Sequence, residues 1–239
     1  MVTHGGISVS WLGYATLRVE ANGTVVYTDP GRYGVLDGYE GDDGGIVCLT
    51  HDHHYDTDGI RTVADDDATV VAFEGINPHR IDRDVERLGD LPYRTRTVDA
   101  EADIAVGDVI VRTTAAYNEP DGPHTRADGE PYHPKGLGCG YHLTLGGVSV
   151  YYPGDTDVLE GHERLDVDVF CPPIGGTFTM DRHDAADLAE ALGPDLVVPI
   201  HYDTFEAIET DAEAFATDLE DRGISVHIDH GIDTTSTDQ

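Results

Sequence analysis

Cations are scarce in this chain: 14 Lys and Arg stand against 47 Asp and Glu, a formal net charge of −33. Lysine occurs once, at Lys135. No basic cluster interrupts that balance, which argues against the basic face that nucleic-acid binding requires. Cysteine is nearly absent too. Cys48, Cys139 and Cys171 are odd in number and no C-x-x-C spacing occurs, so a disulfide framework and a zinc ribbon are both unexpected. Cys48 and Cys171 sit in apolar runs and read as buried thiols, whereas Cys139 lies between glycines and its setting stays open. No apolar run reaches the length of a membrane-spanning helix. Residues 1–9 lack the basic start and apolar core of a secretory signal. The chain therefore reads as soluble and cytoplasmic, with no membrane and no nucleic acid among its partners.

What is present argues for a packed core. Hydrophobic residues make up 39% of the chain and Tyr occurs 12 times, too many for acidic disorder. Dense carboxylates with almost no lysine look like the surfaces of salt-loving, halophilic cytoplasmic proteins, where salt screens their mutual repulsion. The length suits one domain over 1–239, with a short polar tail over 230–239. Alternating or β-branched runs predict strands over 7–12, 16–21, 24–28, 46–50, 69–73, 95–98, 108–113, 140–145 and 148–152. Asn22-Gly23 and Gly146-Gly147 are hairpin signals. Helices are predicted over 57–65, 78–88, 182–192 and 211–222, the last opened by a capping box from Thr210 to Glu213. Further strands are predicted over 167–171, 196–200 and 225–228. Hairpins first and helix–strand alternation later fit two sheets packed face to face with helices outside. A doubly wound nucleotide fold fits poorly, because no G-x-G-x-x-G follows the first strand.

Polar residues gather at the ends of several of these strands. Thr50-His51-Asp52-His53-His54-Tyr55-Asp56 follows an apolar strand directly. His51 and His53, two apart, can point to one side of an extended chain. Neutral imidazoles with a carboxylate suit zinc and iron. Gly154-Asp155 follows the strand over 148–152, and His201 closes the apolar run over 196–200. The polar stretch 119–138 is long for a loop and contains His124, His133 and Lys135. His124 reads as a surface residue, as do the remaining scattered histidines.

Together these segments resemble the metallo-β-lactamase superfamily, in particular its metal-dependent hydrolase branch that includes the L-ascorbate-6-phosphate lactonases. The resemblance spans Val9 to about Ile228 and rests on Trp11-Leu12-Gly13-Tyr14-Ala15-Thr16, Thr28-Asp29-Pro30, His51-x-His53, Gly154-Asp155-Thr156, the loop from Gly175 to Asp181, and Pro199-Ile200-His201-Tyr202. It implies a four-layer αββα sandwich of the mixed α/β (α+β) class. It also implies one or two divalent ions, zinc or manganese, held by His51, His53, Asp56, His133, Asp155 and His201. Asp56 would ligate or act as general base, and His133 would ligate or donate to substrate. Asp29, Asn118 and Thr177 would support from behind.

The sequence departs from the family signature at Tyr55-Asp56, where the pattern has Asp-His, leaving Asp56 or His54 to fill the gap. Asn118 and His133 compete for the middle position, and Tyr14 stands where the opening motif commonly has histidine. The implied activity is hydrolysis of a small-molecule lactone, ester or phosphoester. The rival readings are a non-catalytic scaffold that binds a metal or metabolite, and a nuclease or phosphodiesterase of the same superfamily. Lys135 and Arg182 are candidates to meet an anionic group. Whether the chain forms a homo-oligomer stays open.

Overall fold

A computed structural model of the protein describes residues 1–230. The polar stretch 234–239 lies outside them. Two sheets form the frame. The first contains β1 (Val2–His4), β2 (Ile7–Trp11), β3 (Leu17–Ala21), β4 (Thr24–Thr28), β5 (Gly44–Leu49), β6 (Ala64–Phe73) and β7 (Arg94–Val98), in sequence order. The second contains β8 (Asp103–Val106), β9 (Val109–Ala116), β10 (Gly138–Leu145), β11 (Val148–Tyr152), β12 (Val169–Phe170) and β13 (Leu196–Val197), again in order across the sheet. Each sheet is antiparallel where hairpins join its strands. Each turns parallel where a helix or long crossover intervenes, from β4 to β7 and from β11 to β13.

The period-2 alternation decides which side chains meet. On β4, β5 and β6, Val26, Ile46, Cys48 and Val71 face the second sheet, whose Val111, Tyr141, Leu143 and Val150 join the same core. Their neighbours Val25, Tyr27, Val47, Leu49 and Val70 face the other way and pack with Ile60 and Val63 of α1 (Thr57–Val63). The apolar stripe of α2 (Arg182–Leu192), Ala185, Leu188 and Ala189, joins the core with Phe215 and Leu219 of α3 (Ala212–Asp221). The layers thus run helix, sheet, sheet, helix, as the resemblance implies. No helix among the described residues is long and apolar enough to cross a membrane. Both hairpin signals form: Asn22 and Gly23 at φ 51° and 82°, Gly146 and Gly147 at 61° and 84°. Two positive φ angles in a two-residue loop match the twist of the flanking strands. All three cysteines are buried, Cys139 included.

Three elements differ from expectation. Residues 78–88 form only a 3-10 turn, Pro78–Arg80, followed by another at Leu88–Asp90. Their polar groups bond outward instead. Arg83 donates to the Tyr55 carbonyl (2.6 Å), Glu86 accepts both guanidinium nitrogens of Arg61, and the Glu86 carbonyl accepts from Tyr55 Oη. Tertiary bonding overrides helix propensity here. The cap of α3 is Asp211, which accepts from the Ala214 amide, not Thr210. The strand expected over 225–228 reduces to one bridge between Val197 and Val226. Strands β1 and β8 fall outside the predicted ones; both are short edge elements in which no residue is fully buried.

Topology places the functional loops together. Strands β4, β5, β9, β11 and β13 each deliver their C-terminal ends to one rim of the sandwich. There they hand over to Asp29, His51–His54, Asn118, Asp155 and His201 respectively.

Candidate metal centre

Asp29 organises the rim from behind. It is 3% exposed and sits at φ 41°, a left-handed conformation unusual for a residue with a side chain. Its carboxylate accepts from the Thr50 amide (2.8 Å), Thr50 Oγ1 (2.6 Å), Tyr152 Oη (2.8 Å) and His54 Nδ1 (3.0 Å). Those bonds assign the histidine tautomers. Because Thr50 Oγ1 gives its proton to Asp29, it must accept from His51 Nδ1 at 2.8 Å. His133 Nδ1 faces two acceptors, the Phe178 carbonyl (3.1 Å) and Asn118 Oδ1 (3.3 Å), so it too carries the proton. His51, His54 and His133 therefore all present Nε2 lone pairs to the rim.

All of these converge on one oxygen. Asp155 Oδ2 lies 3.2 Å from His133 Nε2, 3.4 Å from His201 Nε2, and 3.6 Å from both His51 Nε2 and His54 Nε2. His53 Nδ1 is 3.1 Å from His133 Nε2. Donor atoms of His51, His53 and His133 lie within 4.8 Å of one another, as do those of His51, His54 and Asp155. The nitrogens His51 Nε2, His54 Nε2 and both of His201 are buried and have no hydrogen-bond partner among the described residues. Buried lone pairs aimed at a buried carboxylate are costly unless a cation sits among them. The donor set fits a divalent metal, imidazole nitrogens with one shared carboxylate. Strain gathers at the same place: Tyr14, Asp29 and His201 all have positive φ. Glycine makes room for the loop, since a Cβ on Gly138 would come within 2.9 Å of His51 Cβ.

Electrostatics prepare the ligands unequally. Burial, with His54 nearby, holds His51 well below the usual imidazole range. Burial and His133 lower His53 to about 4. Both are neutral at pH 7. Burial would also depress His54, but Asp155 and the bond to Asp29 outweigh it and raise its pKa. Burial pushes Asp155 up, yet His201 and His54 dominate and hold it well below the carboxylate range. Burial and Asp155 keep the Tyr14 phenol protonated; its ring centroid lies 4.5 Å from that of His201, with the planes tilted by 32°.

A chain of hydrogen bonds fixes His133 from the far side. Asn118 Oδ1 accepts from the His133 amide (2.8 Å), and Asn118 Nδ2 donates to Asp157 Oδ1 (2.8 Å). Asp157 in turn meets His124 Nδ1 at 2.6 Å, while His124 Nε2 meets the Gly176 carbonyl at 2.8 Å. With an acceptor at each nitrogen, His124 is satisfied only as an imidazolium. The bond to Asp157 outweighs burial and raises its pKa. A raised value means that this clamp stabilises the fold fully below the unfolded pKa of about 6.5 and is lost as pH rises through the folded one. His124 is 6% exposed, so it is not the surface residue the sequence suggested. Its partner lies 33 residues away, and no local pattern announces the pair.

The structure brings together His51, His53, His133, Asp155 and His201, with Asp29 and Asn118 behind them. Of the two candidates for the gap in the signature it brings in His54, and it leaves out two expected members. Asp56 is neither ligand nor base here: its Oδ1 accepts from the Asp58 and Gly59 amides and caps α1. Asp56→Ala should therefore cost about 0.5–2 kcal/mol of stability, the usual worth of an N-cap, with metal content unchanged. Thermal denaturation beside elemental analysis checks both parts. Thr177 is exposed and donates to the Ala207 carbonyl, away from the cluster. Lys135 lies over the Tyr117 ring, and neither it nor Arg182 lines the cavity in front of the cluster. That cavity, about 540 Å³, is walled by Tyr14, Tyr33, Tyr132, Phe178 and Phe205, with His53, His133 and Asp155 reaching into it. Its cations are Arg32, Arg80 and Arg83.

Residues 8–201 match the family described as the beta-lactamase superfamily domain. The chain is 31% identical to a UPF0173 metal-dependent hydrolase of Thermococcus kodakarensis, over 87% of this chain and 90% of that protein. It is 32% identical to a UPF0173 metal-dependent hydrolase of Methanosphaerula palustris, over 89% and 91%. Among solved structures it superposes on Igni18, a metallo hydrolase from Ignicoccus hospitalis, with a TM-score of 0.68 and 21% identity, covering 95% of this chain and 96% of the other.

Proposed function

The chain belongs to the beta-lactamase superfamily, and on that premise we propose that it is a hydrolase working through two divalent ions that share Asp155. One observation carries the reading: a single buried carboxylate oxygen with four imidazole nitrogens within 3.6 Å. His51, His53 and His133 with Asp155 would hold one ion, and His54 and His201 with Asp155 the other. Nitrogen and carboxylate donors suit Zn²⁺, with Mn²⁺ the alternative to test. Ions held there supply Lewis acidity and bring the pKa of water near 7.

The protein's own groups do the rest. Asp29 fixes the tautomers of His54 and, through Thr50, of His51. Asn118 and the Phe178 carbonyl fix that of His133. Tyr14, kept protonated, presents a hydrogen-bond donor rather than a charge. The substrate is a lactone, ester or phosphoester that enters the aromatic-walled cavity. The Tyr55-Asp56 departure, which would favour a non-catalytic scaffold, has a structural account. Tyr55 is a core residue bonded to the Glu86 carbonyl, Asp56 is a helix cap, and His54 reaches the cluster instead.

The test is a panel of lactones, esters and phosphodiesters assayed with Zn²⁺ or Mn²⁺, beside the double variant His51→Ala, His53→Ala. Hydrolysis should track bound metal and vanish with it. Equal metal and equal activity in the variant would end the proposal. A linked prediction concerns pH. Asp155 and the bond to Asp29 raise the His54 pKa, so at a pH below that pKa loading must expel a proton from His54. Metal affinity should therefore rise with pH up to the His54 pKa and level off above it. Calorimetric titration in buffers of different ionisation enthalpy reads the released proton directly.

A further inference from the structure

The cavity's cations are placed against the charge of the whole molecule. Only 14 Lys and Arg exist in the chain, yet three arginines line this one cavity. They are not equivalent. Arg80 is committed, with Nε 2.7 Å from Asp52 Oδ2. Arg83 gives one terminal nitrogen to the Tyr55 carbonyl, and its Nε is buried without a hydrogen-bond partner among the described residues. Arg32 makes no hydrogen bond or ion pair among the described residues and lies 5.5 Å from the Tyr33 ring centroid. Arg32 and Arg83 line this cavity together, and both also line the smaller recess beside Asp29, His53 and His54. The nearby Asp56 uses its Oδ1 to cap α1.

Asp52, Asp82 and Asp155 line the same cavity, but Asp52 pairs with Arg80, Asp155 with the histidines, and Asp82 is exposed; the exposed, unpartnered Arg32 and the buried unmet Nε of Arg83 are the donors left for an anion. Tyr33 and Phe205, 5.9 Å apart, offer an apolar wall next to them. Building on the hydrolase reading, we propose that Arg32 and Arg83 clamp a non-reacting oxyanion of the substrate, a carboxylate or a phosphate, while its apolar body lies against Tyr33 and Phe205. The substrate class is then an anionic lactone or ester, not a neutral one. Guanidinium groups suit this task because their forked donors match the geometry of both oxyanions.

The test is equilibrium binding of non-hydrolysable probes to the metal-loaded protein. Phenylphosphonate and benzoate represent the two oxyanions, and benzyl alcohol is the neutral counterpart. The wild type should bind at least one anion about tenfold or more tightly than the alcohol. Arg32→Gln should weaken that anion about ten- to hundredfold, the worth of a charge-assisted bond. Arg96→Gln, which removes an exposed arginine from β7 outside the cavity, should leave it unchanged. Arg83→Gln should weaken binding as well, but it also releases the Tyr55 carbonyl, so Arg32 carries the decision. Equal binding by wild type and Arg32→Gln, or equal affinity for the alcohol, overturns the clamp. Anion binding that depends on Arg32 without any hydrolysis in the panel supports the clamp and removes the hydrolase reading, so the two fail separately.

Discussion

Asp155→Ala should strip the protein of metal and reduce hydrolysis by about 10³-fold or more, equivalent to roughly 4 kcal/mol of lost transition-state stabilisation. The size follows from the geometry. Four imidazole nitrogens lie within 3.6 Å of one Asp155 oxygen, and no other carboxylate falls within either candidate ligand group. Removing it leaves neutral donors with no negative charge to balance a divalent cation. The metal-free fold should respond too. A depressed carboxyl pKa contributes stability that is present above the unfolded value of about 3.9 and lost as pH falls through the folded one. At neutral pH that contribution disappears with the side chain. Elemental analysis and a hydrolysis assay on the same preparation check the prediction; wild-type metal content in the variant would contradict it.

Asp29→Ala should act through stability as much as through metal. Its carboxylate satisfies four donors, and all of them are buried. Truncation strands the Thr50 amide and hydroxyl and His54 Nδ1, while the Tyr152 hydroxyl keeps the Ala15 carbonyl at 2.9 Å, for a loss of about 3–5 kcal/mol. For a chain of this length that lowers Tm by roughly 10 °C or more. Asp29→Asn keeps the volume but offers an amide where a proton acceptor is needed, so His54 loses its enforced tautomer. Metal affinity should then fall about 10–100-fold, the usual effect of removing a histidine's orienting partner. Thermal denaturation and metal titration separate the two variants. A wild-type Tm in Asp29→Ala would show that the four bonds are not what holds the rim together.

The parts of this site that local pattern reveals are those in which one strand ends in one polar residue. His51, Asp155 and His201 each follow an apolar run, so strand and ligand are read in the same glance. What sequence hides is register and distance. Whether His54 or Asp56 joins the cluster depends on where the chain turns into α1. The helix starts at Thr57, which makes Asp56 its cap and points His54 inward. The signal was present, since an aspartate just before Thr-Asp-Gly at a helix start is a capping pattern. The resemblance implied a ligand role for Asp56 in its place.

The pair of His124 and Asp157 and that of Arg32 and Arg83 span dozens of residues, and charge alone does not say which members meet. The segment 78–88 shows the same limit in reverse. Its composition favours a helix, but bonds to Tyr55 and Arg61 from elsewhere in the chain hold it open.

The most direct measurement is anomalous diffraction from crystals grown with Zn²⁺ or Mn²⁺. Two peaks flanking the Asp155 carboxylate are predicted, one against His51, His53 and His133 and the other against His54 and His201. A single ion bound away from Asp155, or one ligated by Asp56, would contradict the account.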